Sequence, residues 1–109
     1  MKIALGSQMR EMDRITTEEY GIPSIILMEN ASTAVAEKCI EYLEKNHKRK
    51  ALLVCGGGNN GGDGFAAARL IKVHGYDSKI FFFGKKEKLK GDALINYNAA
   101  VNIEIPVET

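Results

Sequence analysis

Hydrophobic positions along the chain change period several times, and each change marks an element. Met9, Met12 and Ile15 recur on one face of a helix that Ser7 can cap, running to about Tyr20, where Gly21 stops it. Pro23 suits the first turn of a longer helix to about Lys45, with Ile26, Leu27, Ala34 and Ile40 as its buried stripe and a hinge at Asn30 as the alternative.

The pattern then becomes continuous. Ala51-Leu52-Leu53-Val54-Cys55 is short and wholly apolar, as expected of a strand covered on both faces. Phe65 to His74 returns to a helical pattern ended by Gly75, and Ser78 to Phe83 forms a second strand. Gly84 to Lys90 is a lysine-rich loop, Gly91 to Ala100 a helix, and Val101 to Ile105 a third strand closed by Pro106. Two amino-terminal helices followed by βαβαβ predict an α/β, Rossmann-like, three-layer αβα fold with a parallel sheet.

Between the first strand and the following helix stands Gly56-Gly57-Gly58-Asn59-Asn60-Gly61-Gly62-Asp63-Gly64, six glycines in nine residues. Glycine carries the largest backbone-entropy cost of ordering, so such density needs a purpose. It permits positive φ and close approach of a ligand to the main chain, and the helix behind it offers unpaired N–H groups to an anion. Nucleotide phosphates are the usual occupants of such a strand-loop-helix site.

Composition narrows the partners. The 109 residues suit one domain or part of a larger one, and are read as a single nucleotide-binding domain over 1–109. Fifteen basic residues against fourteen acidic ones give no global field for nucleic acid or an anionic membrane. Cys39 and Cys55 lack zinc-ligand spacing and read as buried thiols. With no secretory signal and no membrane-length apolar run, a cytoplasmic location is expected.

Two common phosphate motifs fit poorly. Gly56, Gly58 and Gly61 satisfy G-x-G-x-x-G, but the acid that should follow the second strand is replaced by Gly84-Lys85-Lys86, and Asp77 precedes that strand. A simple dehydrogenase half therefore ranks third among the readings. The Walker loop fails because Gly61 is followed by Gly62 and Asp63, not by lysine and a hydroxyl residue.

The run Gly58-Asn59-Asn60-Gly61-Gly62-Asp63-Gly64 with Ala67-Ala68-Arg69 resembles the signature of the YjeF N-terminal domain family, the NAD(P)H-hydrate epimerases. Gly21-Ile22-Pro23, Leu27-Met28-Glu29-Asn30-Ala31 and Lys88-Leu89-Lys90-Gly91-Asp92-Ala93 resemble that family's segments in the same order. The resemblance implies cofactor repair, in which the R and S hydrates of NADH and NADPH (NADHX and NADPHX) are interconverted for a dehydratase. It implies that Asn59, Asn60, Gly61, Gly62 and Asp63 line the substrate site and that the Asn60 amide oxygen helps ligate potassium. The family's catalytic aspartate and second phosphate loop lie in a later half that these residues do not contain, so no catalytic residue is assigned.

Partners are a small dinucleotide, with a homo-oligomer or a carboxyl-terminal dehydratase domain left open. A noncatalytic nucleotide-binding or scaffold module of the same fold is the alternative.

Other polar residues have plainer readings. Asp63 could complement the charge of its helix amino terminus, which would hold its carboxyl low and suit it to binding rather than acid catalysis. Asn59 and Asn60 could serve only turn geometry. Lys85 and Lys86 read as solvated, His74 as a partner of helix carbonyls, Asp92 as a cap, and Glu29 and Asn30 are unassigned. Ending a sheet at its first strand would leave an unpaired edge.

Overall fold

The computed structural model describes residues 21–57 and 59–109, with only the main chain of residues 59–61. The helix expected over residues 7–20 lies outside these. The described elements are α1 (Ser24–Lys45), β1 (Lys50–Cys55), α2 (Asn59–Val73), β2 (Asp77–Phe82), a 3-10 turn (Lys86–Lys88), α3 (Gly91–Asn102) and β3 (Val107–Glu108). The strands form one parallel sheet in the order β1-β2-β3. Crossovers through α2 and α3 account for that order, since parallel neighbours need a connecting element that returns the chain to the same end.

Register fixes the two faces. Lys50 pairs with Asp77 and Cys55 with Phe82, so Cys55, Ser78, Ile80 and Phe82 point to one side, where all are buried. There α2 supplies Phe65 and Ala68, and α3 adds Ala93 and Ala100. Phe65 stands edge-on to Phe82 at 5.4 Å and to Tyr97 at 5.3 Å, a geometry that aligns ring edges with ring faces.

The opposite face corrects the expectation that β1 is covered twice. Leu52 and Val54 are 63% and 61% exposed, and Phe83 beyond β2 is 70% exposed. Helices lie over one face among the described residues, although the continuous apolar run of β1 suits cover on both. Among the described residues β1 is also the sheet edge. A groove of about 520 Å³ is lined by Val35, Cys39 and Tyr42 of α1 and by Lys50 to Val54 of β1.

α1 keeps its expected span, and two further boundaries differ from the sequence reading. α1 is continuous through Asn30, and its buried positions are Met28, Ser32, Ala36 and Leu43, while Ile26 and Ala34 are not buried. The buried stripe follows the helix it must approach, and α1 packs on α2, where small side chains permit close contact. α3 runs on to Asn102, and the chain turns at Glu104 with φ 66°.

The third strand therefore begins after Pro106 rather than before it. Ile105 is buried as a loop residue, and the Pro106 carbonyl accepts a hydrogen bond from the Ile80 amide at 2.9 Å. Proline lacks a donor but keeps its acceptor, so it can open a strand that it could not occupy centrally. Gly75 does adopt the left-handed conformation expected of it, φ 92°, and His74 Nδ1 lies 2.8 Å from the Leu70 carbonyl oxygen.

Candidate functional site

The carboxyl end of β1 leads through Gly56 and Gly57 directly into α2, which starts at Asn59. Asn59 to Gly64 thus forms the first turns of a helix, not the loop that its glycine content suggests. Summed glycine propensity costs several kcal/mol here, at about 1 kcal/mol per residue relative to alanine. Tertiary packing outweighs it. The amino-terminal N–H groups of α2 have no intrahelical partner and lie at the carboxyl edge of a parallel sheet, where ligands bind in folds of this class.

Glycine is required in α2 by what packs against it. A β-carbon on Gly62 would come within 2.8 Å of Met28 Cε and 3.0 Å of the Ala93 Cα, so α1 and α3 close on the helix from two sides. A β-carbon on Gly64 would stand 2.5 Å from Cys55 Sγ, which permits α2 to lie tightly on β1. Neither glycine has positive φ. Their freedom is used for proximity, not for left-handed geometry.

A third approach joins two loops. A β-carbon on Gly84 would be 2.9 Å from Gly57 Cα and 2.6 Å from the Phe82 ring, so the segments leaving β1 and β2 meet main chain to main chain.

Polar contacts fasten the same corner. Ser32, buried in α1, donates its hydroxyl to the Asp63 carbonyl at 3.2 Å. Ser24 Oγ donates to the Asp92 carboxylate, joining the starts of α1 and α3. Asp92 does not cap α3: Lys90 is the cap residue, with no side-chain cap bond. Arg69 Nη2 donates to both oxygens of Glu29, at 2.6 and 2.5 Å, between α1 and α2. Asn96 Nδ2 reaches Met28 Sδ at 3.2 Å, steadying the methionine that faces Gly62.

Of the five residues expected to line the site, all belong to the opening turns of α2. Asp63 is half-buried and is the fifth residue of the helix, outside its first turn. The dipole effect fades within that turn, so the reading of Asp63 as a simple complement to the helix terminus loses its basis. Sequence reasoning missed Ser24, Ser32 and Met28, which support the site from α1. Only the glycine run hinted that something must press close.

Cys55 lies under this corner. Burial pushes its thiol up to about 12, so it stays protonated and inert as a nucleophile. Among the described residues no three His, Cys, Asp or Glu side chains gather to hold a metal. A neutral amide at Asn60 is one oxygen donor, and this donor set alone does not fit a bound cation.

The family model for YjeF-related protein N-terminus matches residues 24–109, which include every element described above. The chain belongs to this family. It is 41% identical over 108 residues to a bifunctional NAD(P)H-hydrate repair enzyme Nnr of Thermofilum pendens, covering 99% of this chain and 20% of that protein. It is 39% identical over 101 residues to an NAD(P)H-hydrate epimerase of Oenococcus oeni, covering 93% of this chain and 48% of that protein.

The fold of this YjeF-type chain is also that of yeast ynu0, whose crystal structure aligns with a TM-score of 0.77 at 22% identity. The alignment covers 99% of this chain and 47% of the yeast one. The chain spans less than half the length of these relatives.

Proposed function

We propose that residues 1–109 are the amino-terminal part of an NAD(P)H-hydrate epimerase, a cytoplasmic isomerase that interconverts the R and S hydrates of NADH and NADPH. The family match and the names of relatives at 41% and 39% identity support the reaction. The single observation that carries the site is the start of α2 at the carboxyl end of β1, held there by packing that only glycine permits.

In this reading Asn59, Asn60, Gly61, Gly62 and Asp63 line the substrate site. Main-chain N–H groups receive phosphate, and the carboxylate and amides meet hydroxyl or amide groups. Asp63 binds. Epimerisation needs a proton donor and acceptor at the ring carbon, and no residue in 1–109 is assigned that work. Potassium would take the Asn60 oxygen as one ligand among several, since one neutral amide does not hold a cation by itself. A dehydratase joined to the same protein would consume the product, as suits a relative named bifunctional.

Chiral chromatography of separated R and S hydrates tests the reading. The full-length protein is expected to interconvert them, and Asn60→Ala to slow exchange and remove its potassium dependence. Nucleotide binding without exchange would instead make the protein a noncatalytic scaffold, and exchange no faster than in buffer would reject the enzyme.

A further inference from the structure

Ribose discrimination in open parallel sheets falls to the segment after the second strand, which lies beside the glycine loop. An acid there accepts a hydrogen bond from the 2′-hydroxyl, and a cation donates to a 2′-phosphate. In this chain that segment touches the site directly, because Gly84 packs against the main chain of Gly57 with the Phe82 ring beneath it. The next two residues are Lys85 and Lys86.

Asp77 does not compete for the position, since it pairs in register with Lys50 at the far end of β2, five residues from the end that faces the site. Lys79 is already bound to Glu108 at 2.7 Å, and Lys38 lies near Glu41 at 3.8 Å. Among the described residues, Lys85 and Lys86 are exposed and have no carboxylate partner.

Lys86 instead rests over the Tyr97 ring, 5.9 Å from its centroid. Tyr97 is itself edge-on to Phe65 in the core, so the ring is a fixed platform rather than a mobile one. A cation–π contact at the outer limit of its range, on an exposed lysine, is weak enough for a phosphate to displace it. A lysine pair usually faces water. Here it does so at the rim of a phosphate site.

Resting on the proposed function above, we infer that Lys85 and Lys86 recognise the ribose 2′-phosphate that distinguishes NADPH from NADH, and so bias the site toward the phosphorylated hydrate. The same cations could meet the pyrophosphate, which both cofactors share, and the test separates these sources.

Titration calorimetry of the full-length protein would use NADP+ and NAD+ as unreactive probes, comparing the Lys85→Ala/Lys86→Ala variant with Lys48→Ala as a control. Wild type should bind NADP+ more tightly. The double variant should weaken NADP+ by about tenfold and NAD+ by less than about twofold, with Lys48→Ala changing neither. Equal losses for the two nucleotides would assign the lysines to pyrophosphate and overturn the inference, as would no loss at all. Wild-type protein that bound neither nucleotide would overturn the proposed function itself.

Discussion

Cys55 Sγ occupies the space that a side chain at Gly64 would need: a β-carbon there would lie 2.5 Å from the sulfur and 3.7 Å from Cys55 Cβ. The second distance is ordinary van der Waals contact, so the sulfur alone makes position 64 a glycine. This relation ties the seating of α2 on β1 to two residues rather than to the whole glycine run.

Gly64→Ala is therefore expected to destabilise by about 1–3 kcal/mol, the usual cost of overpacking a well-filled core. Combined with Cys55→Ala it should cost less than the sum of the two single changes, because the sulfur that clashes is gone. Urea unfolding of the four proteins measures this. Strictly additive losses would show that Gly64 is needed for some other reason.

Much of this arrangement was legible in the sequence, and the failures share a cause. β1 was readable as a short, largely apolar run and β2 from its Ile80-Phe81-Phe82 end, and Gly75 stood where a left-handed stop was needed. The start of α2 was not. Propensity argues against a helix through Asn59-Asn60-Gly61-Gly62-Asp63-Gly64, and only the neighbours of Gly62 and Gly64, which come from α1, α3 and β1, reverse that preference.

The α1 stripe and β3 were displaced for similar reasons. Ser32 is buried because its hydroxyl finds the Asp63 carbonyl, a partner thirty-one residues away that no local pattern announces. Val101 and Ile103 look like strand residues, yet α3 keeps its hydrogen bonds to the end and Pro106 supplies the acceptor that starts β3. Asn59 to Asp63 stood out by residue type, whereas the bridge of Ser24 to Asp92 across the starts of α1 and α3 did not.

The buried thiol makes stability depend on alkaline pH. Cys55 ionises near 9.0 when unfolded and at about 12 when folded, because burial disfavours the thiolate. Between those values the unfolded state binds fewer protons, so its contribution to stability is complete below about 9 and falls as pH rises toward about 12. The Cys55→Ala variant should lose less stability than wild type over that interval. In native protein at neutral pH, iodoacetamide should leave Cys55 unmodified; rapid alkylation would contradict the burial.

Glu29 and Arg69 join α1 to α2 through two short hydrogen bonds, but their side chains are 42% and 23% exposed. Solvent screening keeps such a pair near the top of the surface range, about 1 kcal/mol. A double-mutant cycle with Glu29→Ala and Arg69→Ala should return a coupling of about that size that shrinks in high salt. A coupling that salt leaves untouched would mean that the pair is more enclosed than its exposure indicates.

Hydrogen–deuterium exchange of the full-length protein with saturating NADP+ tests the central claim most directly, because the first amides of α2 lack intrahelical partners and exchange readily unless a ligand holds them. Peptides spanning residues 55–65 should gain the largest protection on binding. Protection confined instead to the groove between α1 and β1, with residues 55–65 exchanging as before, would contradict the account.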